Sequence, residues 1–335
     1  MGPEMRSVKE VSHLLAAGKS LLLAGDEELL RALPAGNWIG GTTSSFLSGG
    51  MGISTHEQLF VTELPDFAGA IDIRSYDEKS IAQVYCDAPD NGFSFIIIPY
   101  RCRTHLTFGM HAPGFENFAL RPLVGWISCT SRRDDPESAP LAFDGREPRQ
   151  QREGAMVMHV SLPPGKAADI GMINPFEQGD GDRIRFPATG FSTSDAYING
   201  VKTDFAAYLC EKKLDLRLPL VADHSGVMLN TTFRGEPRPG SKVHFYNAVF
   251  DFLEYRHAQP IADYRDHFTR RLFGGHGVQT LFACNCVLNY TLSHMEGRRI
   301  DCPPGPITFG EIAYQTLNQT LVYLRIIDLL KPATS

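Results

Sequence analysis

Read for periodicity, the chain opens with a helix. Ser7-Val8-Lys9-Glu10 has the form of a capping box, in which the serine hydroxyl and Glu10 satisfy free amides of the first turn, and Gly18 supplies a stop. A second, short helix is expected at 26–33, with Asp26 as N-cap and Pro34 ending it. The pattern then changes to short apolar runs broken by Gly, Pro and Asn, which read as strands at 37–41, 58–62, 93–99 and 123–129. Strand texture resumes at 156–161 and again at 227–233, 242–250, 279–284 and 320–327. Helices fit 204–213, where Phe205, Tyr208 and Leu209 recur at i, i+3 and i+4, and 263–273, stopped by Gly274-Gly275. There is no fixed-period repeat. The mixture predicts an α/β or α+β protein of mixed sheets with flanking helices, whose strand order the pattern does not reveal.

Between residues 131 and 154 the texture changes again. Eleven of the 22 residues from 132 to 153 are charged and three are prolines. This stretch reads as a linker or a long surface loop, and it divides the chain into parts at 1–150 and 155–335. Its arginines are matched by acids, so no basic patch forms.

The 335 residues are 43% hydrophobic and 21% charged, as in an ordinary folded protein. A net charge of −6 argues against nonspecific nucleic-acid binding, which draws on clustered Lys and Arg. No apolar run approaches the length of a membrane span, and the amino terminus lacks the long apolar segment of a signal peptide. Seven cysteines without the dense spacing of a secreted scaffold fit free thiols in a reducing cytoplasm.

Several stretches carry candidate chemistry. Trp38-Ile39-Gly40-Gly41-Thr42-Thr43-Ser44-Ser45 runs a strand into paired glycines and four hydroxyls, followed by Gly49-Gly50-Met51-Gly52. Such a segment exposes amides and hydroxyls suited to an anion, although it matches neither a P-loop nor a dinucleotide fingerprint. Leu281-Phe282-Ala283-Cys284-Asn285-Cys286 delivers two thiols at i and i+2, on one face of an extended chain. Adding His294 and Cys302 gives a conceivable zinc set, but the spacing matches no common zinc pattern, and buried cysteine acting as a small apolar residue is the simpler reading. Glu311, framed by apolar neighbours in Thr308-Phe309-Gly310-Glu311-Ile312-Ala313, must either surface on a turn or meet a partner, because an unpaired buried carboxylate is costly. Asn318-Gln319-Thr320 places three hydrogen-bonding side chains before the last strand. His105 and His111 flank an apolar stretch and are the candidates for a haem axial ligand. No serine-hydrolase elbow is present.

Together these stretches resemble the FIST family, a sensory domain of two consecutive parts. Residues 33–43 resemble the strand and Gly-rich turn of its amino-terminal part. Asn199-Gly200, Pro219-Leu220-Val221-Ala222-Asp223, Cys284-Asn285-Cys286, Phe309-Gly310-Glu311-Ile312 and Asn318-Gln319-Thr320-Leu321 resemble its carboxy-terminal part. The resemblance implies two pseudo-domains packed around a central cleft that binds a small polar, amino-acid-like metabolite, with haem as a less favoured cofactor. Gly40, Gly41, Thr42 and Thr43 would then receive an acidic group, Glu311 would face an amine, and Asn285, Asn318 and Gln319 would orient the ligand. No output domain follows in the sequence, so signalling would pass through a separate partner protein. The alternative is an enzyme using the same cleft, with Cys284 or Cys286 as nucleophile or metal ligand and Glu311 as general acid or base. A haem-dependent gas sensor is a third reading.

Overall fold

The expected helix starts form. In the computed structural model, Ser7 Oγ accepts from the Glu10 amide at 3.3 Å and Glu10 accepts from the Ser7 amide at 2.8 Å, launching the helix Val8–Ala16. Asp26 caps Glu27–Arg31 and Asp204 caps Phe205–Lys212 in the same way, each accepting from a first-turn amide. The structure describes residues 3–131, 138–147, 149–224, 226–264, 266, 280–299 and 302–329. Most of the helix expected at 263–273 lies outside them. Among the described residues no helix is long and apolar enough to cross a membrane.

Strands dominate, and the described residues form a mixed α+β architecture of five sheets. The first sheet runs Glu4–Arg6, Leu59–Glu63, Leu21–Gly25, Trp38–Thr42, Ala142–Asp144, Arg149–Gln151. Alternation along Leu21–Gly25 sends Leu21 and Leu23 to one face, where Val11, Leu15 and Leu30 of the first two helices cover them. Leu22 and Ala24 point the other way, into a core shared with Phe95, Ile97 and Trp126 of the second sheet. That second sheet runs Gln315–Leu317, Gly310–Ala313, Leu123–Ser128, Gly92–Pro99, Ala155–Ser161, Ile71–Tyr76. Its far face packs Ile96, Ile98 and Ile127 against Phe108 of the helix Arg103–His111. The layers are therefore helix, sheet, sheet, helix. Gly92–Pro99 is buried along its whole length, which explains its unbroken apolar run.

A third sheet orders Lys166–Ile173, Leu321–Asp328, Phe282–Cys286, Gly305–Thr308, Ser45–Ser48, Met51–Ser54. The sheets are thus built across the expected division near residue 150. Gly310–Ala313 pairs with Leu123–Ser128, while Ser45–Ser48 pairs with Gly305–Thr308. Part of the charged stretch is not loop: Ala142–Asp144 and Arg149–Gln151 complete the first sheet, anchored by buried Leu141, Ala142 and Phe143. The strand expected at 279–284 is observed as Phe282–Cys286, and Glu311 lies in a strand, where a turn was one of the two expectations.

Candidate functional site

Glu311 is fully buried between Trp126 and Leu317 of the neighbouring strands. Its Oε2 accepts from the Thr320 amide at 3.1 Å and from Thr320 Oγ1 at 2.7 Å. Burial pushes its carboxyl up to about 8, against the opposing pull of the Thr320 bonds and the nearby Cys286 thiol, so the protonated form prevails at neutral pH. The partner that the sequence required is thus Thr320, ten residues from the Gly-Glu step at its start.

The neighbouring signature residues stitch strands together. Gln319 Oε1 accepts from Thr232 Oγ1 at 2.7 Å, and Gln319 Nε2 donates to the Arg217 carbonyl at 3.0 Å and to the Tyr264 hydroxyl at 2.9 Å. Asn285 Oδ1 accepts from the Cys286 amide at 2.8 Å and from Asn289 Nδ2 at 3.0 Å. The Asn318 carbonyl accepts from Asn230 Nδ2 at 3.0 Å. Thr43 Oγ1 donates to the Ile307 carbonyl and Thr42 Oγ1 to the Cys129 carbonyl, both at 2.6 Å. Gly40 and Gly41 lie buried inside Trp38–Thr42. The structure therefore gathers Cys284, Cys286, Asn285, Glu311 and Gln319 in one buried polar network and places Gly40, Gly41 and Thr42 in another sheet. Most of their polar side-chain atoms are engaged by protein atoms, whereas the sequence reading directed them at a ligand; Asn285 Nδ2, Glu311 Oε1 and Asn318 Oδ1 are buried with no hydrogen-bond partner among the described residues.

Cys284 Sγ lies 3.3 Å from Thr308 Oγ1, and Cys286 sits at the start of the helix Val287–Leu292. Burial, reinforced by the proximity of Glu311, pushes both thiols well above their ordinary range. Neutral, enclosed thiols are poor nucleophiles and poor metal ligands. Cys284, Cys286, His294 and Cys302 form no metal-ligand set among the described residues. His105 is buried, its Nδ1 accepts from the Arg101 amide at 2.9 Å, and the rings of Tyr100 and Phe191 pack against it. A planar macrocycle would have to displace those rings, so His105 does not fit haem, and His111 is exposed at the helix end.

An open polar site lies elsewhere, where the two parts of the chain meet. Gly49 and Gly50, both with positive φ, form the two-residue turn of the hairpin Ser45–Ser48/Met51–Ser54. Residues 295–299 dock on its outer strand, with the Gly52 amide donating to the Arg298 carbonyl and the Gly297 amide to the Gly52 carbonyl. A Cβ at Gly52 would come within 2.4 Å of the Met295 carbonyl oxygen, so this approach requires glycine. The resulting cleft has a volume of about 570 Å³. Ser45, Ser54 and His56 line one side, and His294, Glu296 and Arg298 line the other. Ser54 Oγ lies 3.2 Å from Ser45 Oγ and donates to Glu296 Oε2 at 2.9 Å. The Tyr290 hydroxyl donates to the same carboxylate oxygen.

At the cleft margin, His56 Nδ1 lies 2.9 Å from Oδ2 of Asp26, a carboxylate 1% exposed that also caps Glu27–Arg31. Of these cleft residues, the sequence singled out Ser45, within the hydroxyl run, and His294, as a metal candidate. Ser54, His56, Glu296, Arg298 and Asp26 as a partner were missed. The available signal was the pair of hydroxyl clusters flanking Gly49-Gly50, which a hairpin brings face to face.

A second cavity, of about 590 Å³, lies wholly within the carboxy-terminal part. Leu209, Leu216, Phe233, Leu288 and Leu292 line it, together with Arg217.

The layered sheets define an α+β protein, and a polar cleft lies at the junction of the two parts. The chain belongs to DUF6976, a family of unknown function whose model matches residues 6–327. No curated protein matches the chain.

Proposed function

We propose that the protein binds a small zwitterionic metabolite of the amino-acid type in the cleft between the two parts of its chain. The single observation that carries this reading is the chemistry of the cleft walls. Arg298 offers a bidentate cation to a carboxylate, Glu296 offers a carboxylate to an ammonium, and Ser45 and Ser54 supply hydroxyls beside them. A zwitterion satisfies both charges at once, whereas a simple anion leaves Glu296 opposed.

The resemblance of residues 309–312 and 318–321 to the FIST closing signature supports a sensory role, exercised through a separate signalling protein. In this reading the signature joins the sheets behind the cleft and does not itself touch the ligand. All seven cysteines are free thiols, which supports a cytoplasmic setting. The test is a thermal-shift screen of the proteinogenic amino acids, since a ligand that binds only the folded state raises the melting temperature. At least one amino acid is expected to raise it at millimolar concentration. If none does, the reading fails.

A further inference from the structure

The cleft contains a pair of residues that ligand binding alone does not require. Asp26 is buried, yet it directs one carboxylate oxygen at Nδ1 of His56, whose side chain is 48% exposed at the cleft wall. A carboxylate only accepts, so Nδ1 carries the hydrogen, and in the neutral imidazole the lone pair lies on Nε2. Nε2 has no hydrogen-bond partner among the described residues. His56 lies two residues beyond Ser54, in the bend that follows the hairpin strand, and lines the same cleft as the Ser54 and Ser45 hydroxyls. A second group thus fixes both the tautomer and the orientation of an accessible base. The arrangement is more than a satisfied surface histidine, because the orienting carboxylate is itself inside the protein and locked by the Glu28 amide at 2.9 Å.

We propose that His56, positioned by Asp26, is a general base that hydrolyses a small polar carboxylic ester or amide held in the cleft. The proposal rests on the cleft being the ligand site described above. His56 Nε2 takes a proton from a water molecule as the water oxygen bonds to the carbonyl carbon. The tetrahedral adduct then collapses, the bond from that carbon to the leaving oxygen or nitrogen breaks, and the leaving group takes the proton from His56. One water is added across the bond, the products are a carboxylic acid and an alcohol or amine, and His56 returns to its starting state. Asp26 does not touch the substrate. It holds the ring in one tautomer and balances the imidazolium formed midway.

The test uses p-nitrophenyl acetate as probe and reads p-nitrophenolate release by the full chain. Wild-type protein is expected to hydrolyse it with saturation, and His56→Ala to lose about 100-fold or more in kcat, in line with removal of a general base. Free imidazole should restore much of that loss above its own background rate. Asp26→Asn keeps a good helix cap, so it should leave the fold and KM intact while lowering kcat. His13→Ala, at an exposed helical position, should match wild type. A wild-type rate no greater than that of His56→Ala overturns the proposal, as does a loss that imidazole does not restore. Asp26→Asn changing KM alone overturns the role given to Asp26. The amino-acid thermal shift is measured on the same His56→Ala protein. A retained shift with lost hydrolysis supports both readings, whereas hydrolysis without any amino-acid shift keeps the base and removes the zwitterion.

Discussion

Thr320 grips the Glu311 carboxyl twice, through its backbone amide at 3.1 Å and its hydroxyl at 2.7 Å, and so ties the start of the last strand to Gly310–Ala313, the penultimate strand of the second sheet. Both residues are buried. Glu311 is one of the buried groups through which pH acts on stability.

Glu311 holds its proton to about pH 8 in the folded state, against an ordinary value of 4.5. Above pH 4.5 the unfolded chain releases a proton that the folded protein keeps, so this group lowers stability as pH rises, until pH passes about 8. The slope is at most about 1.4 kcal/mol per pH unit. Buried His105 and His159 act in the opposite sense: desolvation depresses them to about 3 and about 4. Below pH 6.5 the unfolded chain binds protons that these folded rings refuse, so stability rises with pH there. Denaturant unfolding from pH 5 to 8.5 is expected to show a maximum near neutrality. In Glu311→Gln the decline between pH 6.5 and 8 should vanish, and a decline of undiminished slope would contradict the assignment.

Thr320→Val removes the hydroxyl at nearly constant volume and leaves a buried carboxyl oxygen with one donor fewer. A loss of about 1–3 kcal/mol in unfolding free energy is expected. A loss within error of zero would show that the hydroxyl bond contributes nothing.

Gly52→Ala places a methyl group against the Met295 carbonyl and the Tyr290 ring. Residues 295–299 then have to lift from the hairpin, at a cost on the order of 1–3 kcal/mol. Amide hydrogen exchange at Gly52 and Gly297, which donate across this junction, should accelerate selectively. Unchanged exchange there would mean that the close approach is not maintained.

Thiol labelling separates structural from reactive cysteines. Cys210 is exposed and should react with iodoacetamide within minutes, while Cys284 and Cys286, enclosed and held protonated, should label only after denaturation. Rapid labelling of Cys286 in the native protein would revive its candidacy as a nucleophile.

Local chemistry was legible in the sequence. Ser7 with Glu10, and the cap Asp26, act within a few residues of themselves, and Phe205, Tyr208 and Leu209 recur at helical spacing, so the local pattern placed three helix starts. The long apolar run at Gly92–Pro99 is legible because burial on both faces removes the need for polar residues. The strand Ala142–Asp144 was hidden because the sequence around it is charged and only Leu141, Ala142 and Phe143 carry the signal. Glu311 was read as either surfacing on a turn or meeting a partner; it is buried and partnered, but the partner was not readable, because a ligand amine and the Thr320 hydroxyl satisfy the same rule. The cleft was the least legible feature. Ser54 and Glu296 are 242 residues apart, and nothing in either neighbourhood encodes the sheet that joins them.

The most direct test of the proposed site is calorimetric titration of the best-binding amino acid into three proteins. These are wild type, Arg298→Ala in the cleft, and Arg217→Ala at the carboxy-terminal cavity. Binding that survives in Arg217→Ala and falls at least tenfold in Arg298→Ala is the expected result. Binding lost in Arg217→Ala and intact in Arg298→Ala would place the ligand in the other cavity and contradict the assignment of the cleft.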